Sequence, residues 1–186
     1  MERKDKYFKK AKKEGFLARS AYKLIELNKK YQLILPGDKV LDIGCSPGGW
    51  VQVALLLKAR RVIGIDLQEA KVKNKDFKFM MGDVNKIDIN KIGSVNVVLS
   101  DVAPNVSGIK NIDSEESIDL SNKAFNIAKK VLKRNGNFLC KVFMGKGFDD
   151  LIKKVEKKFE FCKTSKPKAS RKKSKEIYIV AKGFKG

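Results

Sequence analysis

Short apolar runs alternate along most of this chain with longer stretches whose apolar positions recur every three to four residues. The runs at 39–43, 61–65, 77–81, 95–100, 137–143 and 177–181 are rich in Val, Ile, Leu and Phe and read as strands, with a weaker one at 159–163. The stretches at 18–30, 50–58, 117–134 and 148–158 read as helices. In the first of them Ala21, Leu24, Ile25 and Tyr31 fall close to one face. Asn135-Gly136 is a natural stop for the long third helix. Strand and helix in alternation predict an α/β fold with a doubly wound, mostly parallel sheet. Neither a repeat nor a long linker divides the chain, so 1–186 reads as a single domain. Residues 1–17 form a basic lead-in or a first helix, and 163–175 a basic loop before the last strand.

One junction carries candidate chemistry. The strand Lys39-Val-Leu-Asp-Ile43 breaks into Gly44-Cys-Ser-Pro47-Gly48-Gly49, and an apolar helix begins at Trp50. A strand, a glycine turn and a helix start, in that order, make a nucleotide site. The dehydrogenase spacing G-x-G-x-x-G is absent, and no Gly-Lys-Ser/Thr follows as in a phosphate loop. With Asp42 just before the turn, the junction suits an adenosine-type ligand that carries positive charge, such as S-adenosylmethionine.

Further charged residues gather at the carboxyl ends of the expected strands, where open α/β sheets bind ligands. Asp42 closes the first, Asp66 the second and Asp101 the fourth, Asp83 follows the third, and Lys141 lies near the end of the fifth. Lys141 sits inside Phe138-Leu-Cys-Lys-Val-Phe143, a run expected to be covered on both faces. A lysine there is costly unless it is paired or reaches the crevice. Desolvation favours the neutral form of a lysine, which is the form a general base requires.

The charge adds a partner to this picture. The net charge is +21, and it is concentrated at the two ends. Residues 1–30 hold 11 Lys/Arg against 4 Asp/Glu, and 163–186 hold 9 against 1. Basic ends that hold most of the net charge read as a phosphate-binding surface for RNA; lysine serving only solubility would not demand this asymmetry. No apolar stretch approaches the roughly 20 residues of a membrane span, and the N-terminus has no apolar signal core. A cytoplasmic location, no membrane partner and a monomer are therefore expected. Cys45, Cys140 and Cys162 are far apart and there is no histidine, so neither disulfides nor a metal site is expected.

Taken together the motifs resemble the FtsJ/RrmJ family of S-adenosylmethionine-dependent RNA ribose 2′-O-methyltransferases, from about Tyr7 to Lys185. The resemblance rests on Arg19-Ser-Ala-Tyr-Lys23-Leu-Ile-Glu-Leu, Leu41-Asp-Ile-Gly-Cys-Ser-Pro-Gly-Gly-Trp50, Gly64-Ile-Asp66-Leu, Gly82-Asp83-Val, Ser100-Asp101-Val-Ala-Pro-Asn, Cys140-Lys141-Val-Phe and Ser170-Arg-Lys-Lys-Ser-Lys-Glu176-Ile-Tyr. It implies a Rossmann-like class I methyltransferase fold whose last strand runs antiparallel. It implies a catalytic set of Lys23, Asp101, Lys141 and Glu176, with Lys141 as the base. The cofactor positions it implies are Gly48, Trp50, Asp66, Asp83 and Asp101. One departure is Cys45-Ser46, where bacterial relatives are expected to have Ala-Ala. The compact length is similar to relatives that modify a uridine of large-subunit ribosomal RNA; a transfer RNA substrate and a non-catalytic ribosome-assembly factor are the alternatives. A nicotinamide-dependent reductase is disfavoured, because Tyr-x-x-x-Lys is absent as well as G-x-G-x-x-G.

Overall fold

The computed structural model describes residues 6–83, 86–104, 110–171 and 174–186. Val84, Asn105, Lys172 and Lys173 of the motifs above lie outside these residues, as do the first five of the basic N-terminus.

Seven strands form one sheet: β1 (Lys39–Ile43), β2 (Arg61–Asp66), β3 (Phe77–Met81), β4 (Val95–Ser100), β5 (Leu132–Phe143), β6 (Phe159–Ser165) and β7 (Glu176–Phe184). Their spatial order is β3-β2-β1-β4-β5-β7-β6. The pairs from β3 across to β5 are parallel. β7 runs antiparallel to both β5 and β6, so it alone is reversed. This is the doubly wound, mostly parallel sheet with an antiparallel last strand that the alternation and the resemblance imply.

Among the described residues α2 (Ala21–Tyr31), α3 (Gly49–Leu56), α4 (Lys110–Val131) and α5 (Phe148–Lys158) flank the sheet, and α1 (Lys6–Glu14) packs on α2. Side chains alternate along each strand, so each strand feeds two cores. Val40, Val62, Val97, Leu99, Leu139 and Val180 pack with α2 and α3. Leu41, Ile63, Val98, Phe138 and Ile179 pack with α4 and α5 on the other face.

The first helix exists, and 163–165 belongs to β6 rather than to a loop. The main difference from the sequence reading lies at 131–136. The long helix ends at Val131 instead of continuing to 134, and Leu132 already pairs with Val95. Between that pair and Val97↔Asn137 the ladder slips, and Asn135 takes a left-handed conformation with φ 64°. Asn135-Gly136 therefore marks a strand irregularity, not a helix stop. Leu132 is buried in the α4/α5 core, and strand pairing there outweighs the local stop signal.

Candidate active site

The pleat decides which side chains meet at the carboxyl edge. Leu139 faces the α2/α3 layer, so Lys141, two residues on, faces the same way. The antiparallel register sets Tyr178 opposite Lys141 and Glu176 opposite Phe143. Tyr178 and Glu176 are again two apart and share that face. The start of α2 delivers Lys23 from above. Lys23 and Lys141 are 8% and 7% exposed, low values for lysines, and each has a carboxylate partner.

The two ion pairs differ in geometry. Lys141 Nζ lies 3.1 Å from Asp101 Oδ1 and donates to the Asp101 carbonyl at 2.6 Å. One residue thus holds this ammonium through both its main chain and its side chain. The buried Tyr178 hydroxyl donates to the same Oδ1 at 2.7 Å and fixes the carboxylate. Burial, then the charges of Asp101 and Glu176, push the Tyr178 phenol far above its ordinary value, so it stays a donor. In the second pair Lys23 Nζ lies 2.6 Å from Glu176 Oε1 and 5.6 Å from the centre of the Tyr178 ring. Burial alone would raise the Glu176 carboxyl. The Lys23 charge and contact, then the nearby Ser170 and the Lys141 charge, outweigh it and hold the carboxyl below the usual range.

The glycine turn stands beside these pairs. Gly48 has φ 120° and caps α3. A Cβ at Gly48 would strike Val72, and one at Gly44 would strike Val102, so both positions demand glycine on conformation and on space. Asp66 closes the turn from β2: its two oxygens accept the backbone N–H groups of Ser46 and Gln68, each at 2.9 Å. Each oxygen keeps a second lone pair for another donor. Gly82 N–H donates to the Asp66 carbonyl at 2.9 Å, so the ends of β2 and β3, with Asp66 and Asp83, adjoin.

Asp42 lies beneath this cluster. It is 1% exposed, and neither carboxyl oxygen has a hydrogen-bond partner among the described residues. Burial, then the charges of Asp101 and Asp66, push its carboxyl well above the carboxylate range. The Asp101 and Asp66 charges thus disfavour the ionised form of Asp42 beside the glycine turn. That arrangement fits a cationic ligand, which would relieve the repulsion.

Lys23, Asp101, Lys141 and Glu176 thus come together as two linked pairs, and Gly48 and Asp66 stand at the carboxyl edge of the sheet with Asp42 buried beneath. Trp50 has a core position: it is 2% exposed, its ring centre is 6.0 Å from that of Tyr178, and Nε1 donates to the Ser20 carbonyl at 2.9 Å. It fixes the segment that leads to Lys23. The sequence reading missed Tyr178 as the partner of Asp101, although the Glu-x-Tyr spacing puts both residues on one strand face. It also missed Ser117 and Ser121 of α4. Ser121 Oγ donates to the Lys141 carbonyl at 3.0 Å, and Ser117 Oγ accepts the Phe143 N–H at 3.0 Å, which anchors the strand that carries Lys141. Two serines four apart on an apolar helix face were the available signal.

The basic ends meet at α2. Ala11 of α1, Tyr22 of α2 and Ala169 share a small core. Arg19 donates to the Ala169 carbonyl, and Glu26 accepts the N–H groups of Lys168 and Ala169. The turn carrying Lys166, Lys168 and Arg171 is therefore held on the helix that supplies Lys23.

The family model described as FtsJ-like methyltransferase matches residues 16–184. A protein of Methanothermobacter thermautotrophicus named ribosomal RNA large subunit methyltransferase E is 45% identical, over 99% of this chain and 92% of its own length. The protein of that name from Archaeoglobus fulgidus is 43% identical, over 99% and 98%. A crystal structure assigned as a ribosomal RNA methyltransferase of Plasmodium falciparum is 30% identical, covers 92% of this chain and 100% of its own, and superposes with a TM-score of 0.80.

Proposed function

Since the chain belongs to the FtsJ-like methyltransferase family, we propose that it transfers a methyl group from S-adenosylmethionine to a ribose 2′-hydroxyl of RNA, on a uridine of large-subunit ribosomal RNA. The observation that carries the reading is the pair of buried lysine–carboxylate contacts, Lys141–Asp101 and Lys23–Glu176, beside a glycine turn at the carboxyl edge of the sheet. The relatives' names support the ribosomal substrate.

The residues present fit the cofactor. Asp66 has acceptor capacity for ribose hydroxyls, Asp83 suits the adenine amino group, Gly48 shapes the turn beside them, and Asp42 with Asp101 favours a cation. S-adenosylmethionine supplies an electrophilic methyl group on a positively charged sulfur. A ribose hydroxyl is a weak nucleophile and must lose its proton as the new bond forms, which requires a base within hydrogen-bond reach. Asp101 engages Lys141 Nζ through two contacts, and a deprotonated amine keeps a lone pair besides. With its amine deprotonated, Lys141 would take the hydroxyl proton on that lone pair, while S-adenosylmethionine would supply the methyl group to the ribose oxygen and keep the electron pair of its carbon–sulfur bond. Tyr178 and Asp101 hold the base in place. Lys23, fixed by Glu176, offers donors to the ribose. No metal is needed in this scheme, because positive charge is dispersed rather than anionic charge created.

α1, the 166–171 turn and the start of α2 offer a basic surface beside the crevice for the RNA backbone. Mapping 2′-O-methylation in ribosomal and transfer RNA, with and without the protein, tests the reading. A single ribosomal uridine that depends on the protein supports it; a dependent transfer RNA nucleotide would replace the substrate.

A further inference from the structure

At the edge of the sheet opposite the crevice lies an open cavity of about 580 Å³, lined among others by Lys30, Tyr31, Asn137, Phe161 and Lys182. The topology explains why these residues meet. α2 begins beside the crevice at Ala21 and ends here at Tyr31. Lys23 and Tyr31 are eight residues apart, roughly 12 Å along a helix axis. β7 runs the opposite way to its neighbours, so its C-terminal half brings Lys182 to this edge, paired with Phe161.

The chemistry here is aromatic and cationic. The Tyr31 and Phe161 rings lie 6.2 Å apart, both half-buried. Lys30 Nζ stands 4.9 Å from the Tyr31 ring centre, and Lys163 Nζ 5.6 Å from that of Phe161. Lys182 Nζ donates to the Tyr31 carbonyl at 2.8 Å. Burial would raise the Tyr31 hydroxyl, but the nearby Ser165 and the charges of Lys30 and Lys163 lower it below its ordinary value. Glu160 is the one carboxylate among the described lining residues. The positive potential continues along the same edge, where burial and then Arg60, Lys133, Arg61 and Lys78 lower Lys39. Aromatic faces bracketed by exposed lysines are the usual platform for single-stranded nucleic acid, where bases stack and phosphates meet cations.

We infer that this groove is a second RNA subsite, which takes an unpaired base and its phosphates flanking the target nucleotide, so that the substrate runs along α2 from the crevice to the opposite edge of the sheet. The inference rests on the RNA reading above and extends it to a surface outside the methyl-transfer site. A base displaces Lys30 or Lys163 from a ring face, and the released ammonium pairs with phosphate.

The test uses the full chain and a uridine-rich single-stranded RNA, with affinity measured by filter binding over a series of salt concentrations. Lys30→Glu with Lys163→Glu should weaken binding at least tenfold and reduce the salt slope by about 1.4, since each neutralised phosphate contributes about 0.7 on single strands. Tyr31→Ala should weaken binding roughly 5- to 150-fold, the usual worth of a stacked base, and Tyr31→Phe should keep the parent affinity. Lys153→Glu with Lys157→Glu on α5, across the sheet, changes the net charge equally and should cost less than threefold. S-adenosylmethionine affinity by calorimetry reports that each variant is folded. Equal losses from the two double reversals, or Tyr31→Ala within twofold of the parent in folded protein, overturn the subsite. If the parent protein binds no RNA, the failure belongs to the proposed function instead.

Discussion

Replacing Asp42 with asparagine changes one proton and almost no volume, and two measurable consequences follow. Asp42 is fully buried with both oxygens unpartnered among the described residues, and its carboxyl is pushed well above the ordinary range by burial, then by Asp101 and Asp66. The unfolded chain gives up this proton near the ordinary value of about 3.9. The folded protein retains it to higher pH. The stability of the parent is therefore fully present below the unfolded value and falls as pH rises toward the folded one, by up to about 1.4 kcal/mol per pH unit. Asp42→Asn has no proton to lose, so its stability advantage should widen over that window. Urea unfolding without cofactor, from about pH 5 to pH 8, reads this directly. A cation that enters the crevice stabilises the ionised form, so S-adenosylmethionine should release a proton on binding. Calorimetry in two buffers of different ionisation enthalpy reports that proton for the parent and none for Asp42→Asn, whose affinity should also fall by about 1–2 kcal/mol, or 5- to 30-fold. Parallel pH–stability curves for the two proteins would refute the assignment of a protonated, cation-sensing Asp42.

Lys141→Ala should leave cofactor binding intact and cut methyl transfer by roughly 10²–10⁴, the worth of a general base, and Lys141→Arg should restore little because arginine does not deprotonate; single-turnover assays at saturating cofactor check both. Asp66→Ala should weaken S-adenosylmethionine binding by about 1–3 kcal/mol, the cost of hydroxyls left without an acceptor, as measured by calorimetry. The Glu176 carboxyl is held low by Lys23, Ser170 and Lys141 against its burial, so the stability it contributes is present above the unfolded value of about 4.3 and is lost as pH falls toward the folded one. Glu176→Gln should therefore show a shallower acid limb in thermal unfolding, and an unchanged limb would count against the Lys23–Glu176 pair.

Local signals made most of this architecture legible. The glycine turn after β1, the aspartates at strand ends and the lysine inside β5 are features of single segments, and each points to the carboxyl edge without knowledge of pairing. Asp42 was visible as an acid near a ligand, but its unpartnered burial depends on what packs around it. Tyr178 could not be linked to Asp101 from sequence, because that bond needs the order β4-β5-β7 and the antiparallel register that sets Tyr178 opposite Lys141. The clamp of Glu26 on the 166–171 turn joins residues more than 140 apart and has no local pattern. At 131–136 local and long-range signals conflicted: Asn-Gly is a good helix stop, yet Leu132 gains more from pairing with Val95 and joining the core.

The most direct test of the central claim labels large-subunit ribosomal RNA with the purified protein and radioactive-methyl S-adenosylmethionine, then digests the product in alkali. Alkaline cleavage needs a free 2′-hydroxyl, so methylation there protects the adjoining linkage. The account predicts that the label is recovered in an alkali-resistant dinucleotide with uridine at its 5′ position, and that Lys141→Ala abolishes it. Label recovered in mononucleotides would place the methyl group on a base and contradict the account.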